Sequence, residues 1–401
     1  MPASSRRTVA ALEGIRVLDL SIGQMGPAAT ALLADFGAEV IKIESRQGDP
    51  GRGVELQPDG RSAFFLTHNR GKKSIALNLR HPEGREAVLR LAERSDVFVQ
   101  SWTPGTVERL GLDYDVVRQR SPDIIYASAS GFGPRGPRAH LPAMDMVAQG
   151  AGGLMMANAG HDAGDPIPVG PTIADQTGAF QLALGVLLAL ICRQRTGRGQ
   201  RVDASLLGGM IALQGWHIAH YLMTGRMALM SSQRSQRSPL FTFYRASDGW
   251  FTIAIIDPRQ WPELCRIAGM PELTDDPRFA ETQARNERAA ELIRILDERF
   301  AGDSRDHWLR LLEGAEIPCG PVSSYAELVE DEQVLANGYV AGVADPRLGP
   351  LRAPGLPIKL SETPGEVRPA PELGQHTEEV LEELGYSWEE IGRLRESRTI
   401  L

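Results

Sequence analysis

Two aspartates stand beside apolar, helix-patterned segments, where a carboxylate has the most chemistry open to it. Asp175 lies in Pro171-Thr172-Ile173-Ala174-Asp175-Gln176-Thr177-Gly178, just ahead of a long apolar run. Local rules make it a helix N-cap. The same place could serve a reaction, because free N–H groups and the helix dipole keep a carboxylate anionic and ready to attack an electrophile. Asp145, in Met144-Asp145-Met146, adjoins a second apolar helix pattern and reads by itself as a cap or a surface charge. A third feature is the turn Gly23-Gln24-Met25-Gly26-Pro27, which follows the first apolar run. A glycine-bearing turn that opens a helix suits a phosphate. With glycines at 23 and 26 only it does not make G-x-G-x-x-G, and Pro27 lacks an N–H, so a dinucleotide is disfavoured. A tight turn without any ligand stays open.

The other reactive residue types exclude more than they suggest. The eight histidines form no H-E-x-x-H pattern, and His217 and His220, three apart on an apolar segment, lack a third ligand. Cys192, Cys265 and Cys319 are far apart and odd in number, which fits free thiols in a reducing compartment rather than a disulfide framework or a zinc site. No metal site is expected. There is no G-x-S-x-G elbow and no P-loop. Forty-three basic residues against 51 acidic ones leave a net charge of −8, which disfavours a nucleic-acid partner. Met1–Ala11 is polar, so no secretory signal is expected. The run Ala179–Cys192 is too short to span a bilayer. These readings point to a cytoplasmic protein without a membrane partner.

Strand-like and helix-like segments alternate through the first 130 residues and must position these groups. Ile15–Leu20, Glu39–Ile43, Val97–Gln100 and Ile124–Ala127 read as strands; Pro27–Phe36, Glu83–Arg94 and Val116–Arg120 read as helices. This alternation predicts an α/β fold with a parallel sheet covered on both faces. Gly131–Arg138 is loop, and helices are expected over Met144–Gly150, Gln176–Arg193 and Leu206–Met223, with a strand at Gln200–Ala204. After the polar stretch Gly225–Pro239 come a hairpin, Phe241–Tyr244 with Trp250–Ile256, and helices over Gln260–Ala268, Glu287–Phe300 and His307–Glu313. The expected division is a large domain over 1–200, a linker helix over 201–225, a small α+β domain over 226–325, and a return to the large domain over 326–401. The last part is proline-rich loop followed by helices at Glu378–Leu384 and Trp388–Ser397.

Several ordered blocks carry a resemblance. They are Leu33-Ala34-Asp35-Phe36-Gly37-Ala38-Glu39-Val40-Ile41-Lys42-Ile43-Glu44 with Gly48-Asp49; Asn69-Arg70-Gly71-Lys72-Lys73-Ser74-Ile75; Asp145-Met146-Val147-Ala148-Gln149; Thr196-Gly197-Arg198-Gly199-Gln200; Ile317-Pro318-Cys319-Gly320-Pro321-Val322; and Leu373-Gly374-Gln375-His376-Thr377. Taken in order from about residue 12 to about 385, the chain resembles the family III CoA-transferases, a superfamily that includes the α-methylacyl-CoA racemases. The resemblance implies a Rossmann-like large domain built from both ends of the chain, a smaller inserted α+β domain, and an interlocked homodimer.

By that resemblance Asp175 matches the catalytic aspartate, Gln24 the glutamine that shields it, and Asp145 an acidic position nearby. Arg109 matches a CoA-contacting arginine, Ser101 and Trp102 the neighbouring CoA pocket, and Leu77 an adenine-side contact. Ser45 stands where some members have a CoA-binding arginine, and adjacent Arg46 is the substitute. Lys42, Lys72 and Lys73 are further candidate cations for the CoA phosphates. Met144 replaces the racemase histidine and cannot move a proton, which disfavours racemisation. The activity implied moves CoA from an acyl-CoA to a small carboxylic acid through an aspartyl anhydride and a β-aspartyl-CoA thioester, with CoA as substrate and no permanently bound cofactor. Rival readings are an acyl-CoA racemase, a non-catalytic CoA-binding subunit, and an NAD-dependent oxidoreductase that rests on the parallel sheet alone. The loop Met230–Ser238 and the hairpin are expected to shape the acid pocket, where Arg234 and Arg237 could face a dicarboxylate or simply belong to a solvated loop.

Overall fold

Short runs of Val, Ile and Leu become the strands of a parallel sheet in the computed structural model, which describes residues 9–57, 59–60, 62–160, 164–227, 234, 238–346 and 349–401. The strands are β1 (Arg16–Leu20), β2 (Glu39–Glu44), β3 (Lys73–Ala76), β4 (Val97–Gln100), β5 (Ile125–Ser130) and β6 (Arg201–Ser205). They lie in the order β3-β2-β1-β4-β5-β6, each neighbouring pair parallel. The order reverses between β1 and β4, and a ligand crevice opens at such a point in a doubly wound sheet. Edge strand β3 has no counterpart among the strands expected from sequence. It is four residues long and starts on Lys73, so no alternating pattern marks it.

Helices α1 (Met25–Asp35), α2 (Ala63–Asn69), α3 (Pro82–Ala92), α4 (Thr106–Arg109), α5 (Tyr114–Arg120), α6 (Asp145–Ala151), α7 (Leu154–Ala159), α8 (Ile173–Thr196) and α9 (Leu206–Leu213) follow along the chain. The helix expected over Leu206–Met223 is interrupted: α9 ends at Leu213 and a new helix runs Gly215–Thr224. Helix α8 is longer than its apolar run. Its 24 residues are long and apolar enough to cross a membrane by length and composition, yet Ala174, Gly178, Ala179, Leu182, Ala183, Val186, Ala189 and Leu190 are buried within the α/β unit.

By contacts the chain divides into two units. The larger takes residues up to 152, 169–214 and 335–401, and the smaller takes 153–168 and 215–334. The smaller unit thus draws in more chain than 226–325. In the larger unit Leu18, Ile41, Ile75, Phe98 and Tyr126 of the sheet share one core with Val88 and Leu91 of α3. Val380, Leu381, Ile391 and Leu394 of the last two helices, Thr377–Glu383 and Trp388–Glu396, join that core. The proline-rich segment expected to be loop contains an antiparallel pair, Val340–Asp345 with Gly349–Pro354. The smaller unit has the expected hairpin, Phe241–Arg245 with Trp250–Ala254, extended by Cys319–Pro321. Tyr244, Phe251, Phe300 and Trp308 pack edge to face in its core.

Candidate active site

The crevice where the strand order reverses is bridged by Ser101, whose Oγ accepts the Ile22 N–H at 2.9 Å. Beside it lies a cavity of about 620 Å³, lined on its apolar side by Leu20, Ile43, Leu77 and Trp102. That is within the size range of small-molecule sites. Its polar rim includes Ser45, Arg46, Gln47, Asn78 and Arg80, from the loops after β2 and β3. Leu77, Trp102 and Arg46 are therefore brought together. Arg46 Nε is a buried donor without a partner among the described residues, an arrangement that a bound anion would satisfy. Arg109 sits exposed at the end of α4, bonded to Thr106 at 2.9 Å, and does not line the cavity. Arg80 and Asn78 line it and were not singled out from sequence; the signal available was their place just past a strand end.

Glu44 ends β2, the place where a dinucleotide fold puts the acid that binds a ribose. Here both of its oxygens are committed, to Arg52 at 2.7 Å each, to Ser74 at 2.6 Å and to the Asp49 N–H at 2.9 Å. The rim cation Arg46 is left facing the cavity instead, which suits a phosphorylated group. Three of the five candidate cations are corrected by the structure. Lys42 and Lys72 are fully buried and paired with Asp49 (2.7 Å) and Asp19 (2.9 Å), and Lys73 lies among Glu39, Glu379 and Glu383. A lysine that is fully buried, or already held among carboxylates, is not free to meet a phosphate.

The turn that contributes Ile22 to the cavity wall continues through Gly23, at φ 76°, to Gln24 and Met25. Gln24 is buried, and its Nε2 donates to Thr172 Oγ1 at 2.6 Å. Thr172 precedes α8, so Asp175 is the third residue of that helix rather than its N-cap. A carboxylate does cap α8, but it comes from α6. Asp145 Oδ1 accepts the Ala174 N–H at 2.7 Å and the Asp175 N–H at 3.3 Å, while Gln149 Nε2 donates to Oδ2 at 2.6 Å. Sequence spacing cannot reveal a cap supplied from 29 residues away. Helices α1 and α8 approach closely because residue 178 is glycine: a Cβ there would lie 2.9 Å from Met25 Sδ.

Asp175 is thus half-buried, with the Met25 N–H and the Asp145 carboxylate as its electrostatic neighbours. Burial first, and then the charge of Asp145, push its carboxyl up to about 6, against the pull of the Met25 N–H. His68 of α2 meets Gln176, the next residue, at 3.2 Å; burial and Lys72 pull it down to about 4, so the ring is neutral. The geometry therefore brings Asp175, Asp145 and Gln24 together at one helix end. Its carboxylate is ionised at neutral pH yet unusually basic, which is what a nucleophile requires. In the smaller unit Arg234 pairs with Asp297 at 2.9 Å and lies over Phe243 and Trp250, so its charge is already met. Arg237 and most of the loop Met230–Ser238 fall outside the described residues.

The profile of CoA-transferase family III matches residues 12–377. A succinyl-CoA:glutarate CoA-transferase of Mus musculus is 36% identical over 392 residues, covering 96% of this chain and 88% of the relative. A formyl-CoA:oxalate CoA-transferase of Streptomyces coelicolor is also 36% identical, over 98% of this chain and 100% of the relative. Among solved structures, a CAIB/BAIF family protein from Brucella suis superposes with a TM-score of 0.84 at 32% identity, over 94% of this chain and 100% of that one. With a doubly wound sheet, a cavity at its switch point and a match along most of its length, the chain belongs to CoA-transferase family III.

Proposed function

We propose that the protein moves CoA from an acyl-CoA thioester to a free carboxylic acid, with Asp175 as the covalent carrier. The observation that carries this reading is a half-buried carboxylate, raised to about 6, whose charged neighbour is another carboxylate. At pH 7 it is mostly ionised. The nucleotide end of CoA occupies the cavity, with its adenine against Leu77 and Trp102 and its phosphates met by Arg46, Arg80 and, from the rim outside, Arg109. Ser101 holds the crevice between β1 and β4 open in register. From Ile22 at the cavity to Met25 beside Asp175 is three residues, at most about 11 Å of extended chain, a gap that a pantetheine arm bridges.

Asp175 attacks the thioester carbonyl; the C–S bond breaks, giving an acyl-aspartyl anhydride and CoA thiolate. The thiolate attacks the aspartyl carbonyl, releasing the donor carboxylate and leaving an aspartyl-CoA thioester. An acceptor carboxylate attacks that thioester to form a second anhydride and free thiolate. The thiolate then takes the acceptor acyl group, and Asp175 returns as a carboxylate. Acylation removes the charge that Asp145 opposes, so the repulsion present in the resting site favours the covalent enzyme. The Met25 N–H and the Gln24 amide donate to the oxyanion of each tetrahedral step. No step calls for a metal or redox cofactor.

The partner we assign to the apolar face of α8 is a second copy of the chain. Phe180, Leu184, Leu188 and Ile191 are each about half exposed there, an apolar stripe too continuous for a solvated surface. Light scattering on the purified protein checks it. The chemical test is trapping: with acyl-CoA present, hydroxylamine converts Asp175 to a hydroxamate that peptide mass spectrometry locates. A hydroxamate elsewhere, or none while transfer proceeds, defeats the carrier role. A matrix of acyl-CoA donors and free acids, read by mass spectrometry, identifies the substrates.

A further inference from the structure

Residues Asn69-Arg70-Gly71-Lys72 form one of the blocks that carry the resemblance, yet nothing in the reaction above uses them. Lys72 is fully buried, and its ammonium spends all three protons inside the fold: on Asp19 Oδ2, on the Pro27 carbonyl and on Asn69 Oδ1, each at 2.9 Å. Asp19 Oδ2 also accepts from Thr30 of α1 at 2.7 Å. Its other oxygen takes both the N–H and the hydroxyl of Ser21. Lys42 reaches the same turn from β2, donating to the Ser21 carbonyl at 2.9 Å. The segment Ser21–Pro27 is therefore gripped at both ends by buried charges. Between the grips stand Ile22 at the cavity wall, Gln24 on Thr172, and Met25 facing Asp175. The turn is folded tightly on itself, since a Cβ on Gly26 would fall 2.3 Å from Ser21 Cβ. It has no slack to correct its own position.

We infer that Lys72 and Asp19 are positioning residues for catalysis: their buried pair fixes the turn that presents Gln24 and the Met25 N–H to Asp175. The inference rests on the carrier role proposed for Asp175. The pair touches no substrate, so its loss alters the alignment of the reacting groups rather than the grip on CoA. A misplacement of about 1 Å at such a site costs on the order of 100-fold in rate. Arg70, from the same block, supplies an internal control. It pairs with Asp35 at 2.7 Å, at the opposite end of α1 from Gln24.

The experiment compares Lys72→Met, the double variant Asp19→Asn/Lys72→Met, Asn69→Ala and Arg70→Met with the wild type. Each is measured for kcat per folded molecule and for acyl-CoA Kd by calorimetry. The double variant matters most, because it leaves no unpaired charge behind and is expected to fold where Lys72→Met does not. It should lose about 30- to 100-fold in kcat with Kd within about threefold. Asn69→Ala, which keeps every charge, should lose about three- to tenfold in kcat. Arg70→Met should lower the melting temperature while kcat stays within about threefold. Wild-type kcat in the double variant overturns the inference. So does a parallel fall of kcat and affinity, or a loss in Arg70→Met as large as in Lys72→Met. Hydroxylamine trapping on the wild type is run beside these, so that failure of the carrier role is read separately from failure of the clamp.

Discussion

Asp19 and Asp175 meet the same seven-residue turn, Asp19 at Ser21 where it begins and Asp175 at Met25 within it, and burial raises the proton affinity of both. Their neighbours then separate them. Around Asp19, burial is outweighed by Lys72 and Lys42 and by the hydroxyls of Ser21 and Thr30, so its carboxyl is held far below the usual range. Around Asp175 the next influence is Asp145, and the carboxyl stays at about 6. Burial sets the size of the electrostatic stakes, and the partner sets their sign. A carboxylate met by cations is inert and serves as scaffold. One left against a like charge keeps the basicity needed to attack a thioester.

The largest test of this contrast replaces each aspartate in turn. Asp175→Ala should reduce CoA transfer by about 10³-fold or more, with acyl-CoA Kd nearly unchanged by calorimetry. Asp175→Asn should be just as inactive and yet more stable than the wild type at pH 7, by about 1–3 kcal/mol in denaturant unfolding. The sign follows from linkage. The folded pKa of about 6 lies above the unfolded value near 4, so the native state carries a cost that appears as pH rises from about 4 to 6 and is complete above 6. Below about pH 4 the two proteins should be equally stable. A less stable Asp175→Asn at pH 7 would break the contrast.

Asp19→Asn should show the reverse. Its folded pKa is depressed, so its stabilisation is present above the unfolded value near 4 and is lost as pH falls through the folded one. Removing that charge leaves Lys72 without its ion-pair partner in a site without solvent. The expected loss at pH 7 is about 3–5 kcal/mol, read from the denaturant midpoint.

The sequence alone disclosed one half of this contrast better than the other. Asp175 stood out as an acid ahead of an apolar helix, but that local signal read as an N-cap, which belongs to Thr172, and the carrier role came from the resemblance; the parallel sheet followed from alternating apolar runs. Asp145 read as a cap or a surface charge, but the helix it caps could not be read, since a cap contributed across 29 residues has no local mark. Lys42 and Lys72 looked like phosphate ligands for the same reason. Spacing shows a lysine next to strand residues, and only the fold shows that its side chain is fully buried against Asp49 or Asp19. Edge strand β3 and the pair Val340–Asp345 with Gly349–Pro354 escaped because short or glycine- and proline-bearing strands lack a clean alternation.

A middle-sized effect is expected from the carboxylate that, next after burial, raises Asp175. Asp145→Asn retains an oxygen for the Ala174 and Asp175 N–H groups, so α8 stays capped, but the new amide nitrogen meets Gln149 Nε2 donor to donor and stability should fall by about 1–2 kcal/mol. With the charge gone, Asp175 gives up its proton at lower pH. The acid limb of kcat/KM should therefore move below 6 while staying above the ordinary carboxylate value near 4, because burial, the larger influence, remains, and turnover at pH 7 should fall about three- to tenfold because the nucleophile is a weaker base. An acid limb that stays at 6 would assign the raised pKa to burial alone.

The smallest effect carries the comparison over to cations. Lys42 and Lys72 are satisfied inside the fold, whereas Arg46 lines the cavity with a buried Nε that has no partner among the described residues. An arginine in that state gains from a phosphate by roughly one charge-assisted hydrogen bond, about 1.5 kcal/mol. Arg46→Ala should thus raise the Kd for CoA about tenfold, and the loss should shrink as salt is added. Dephospho-CoA, which lacks the 3′-phosphate, tells which phosphate Arg46 meets: equal affinity in variant and wild type assigns it the 3′-phosphate, and an undiminished loss assigns it the pyrophosphate. Lys73, already held among Glu39, Glu379 and Glu383, serves as the matched control. Lys73→Ala should leave CoA affinity within about twofold. Equal losses from Arg46→Ala and Lys73→Ala would mean that the general field of the protein, and not one unpaired guanidinium, attracts the phosphates of CoA.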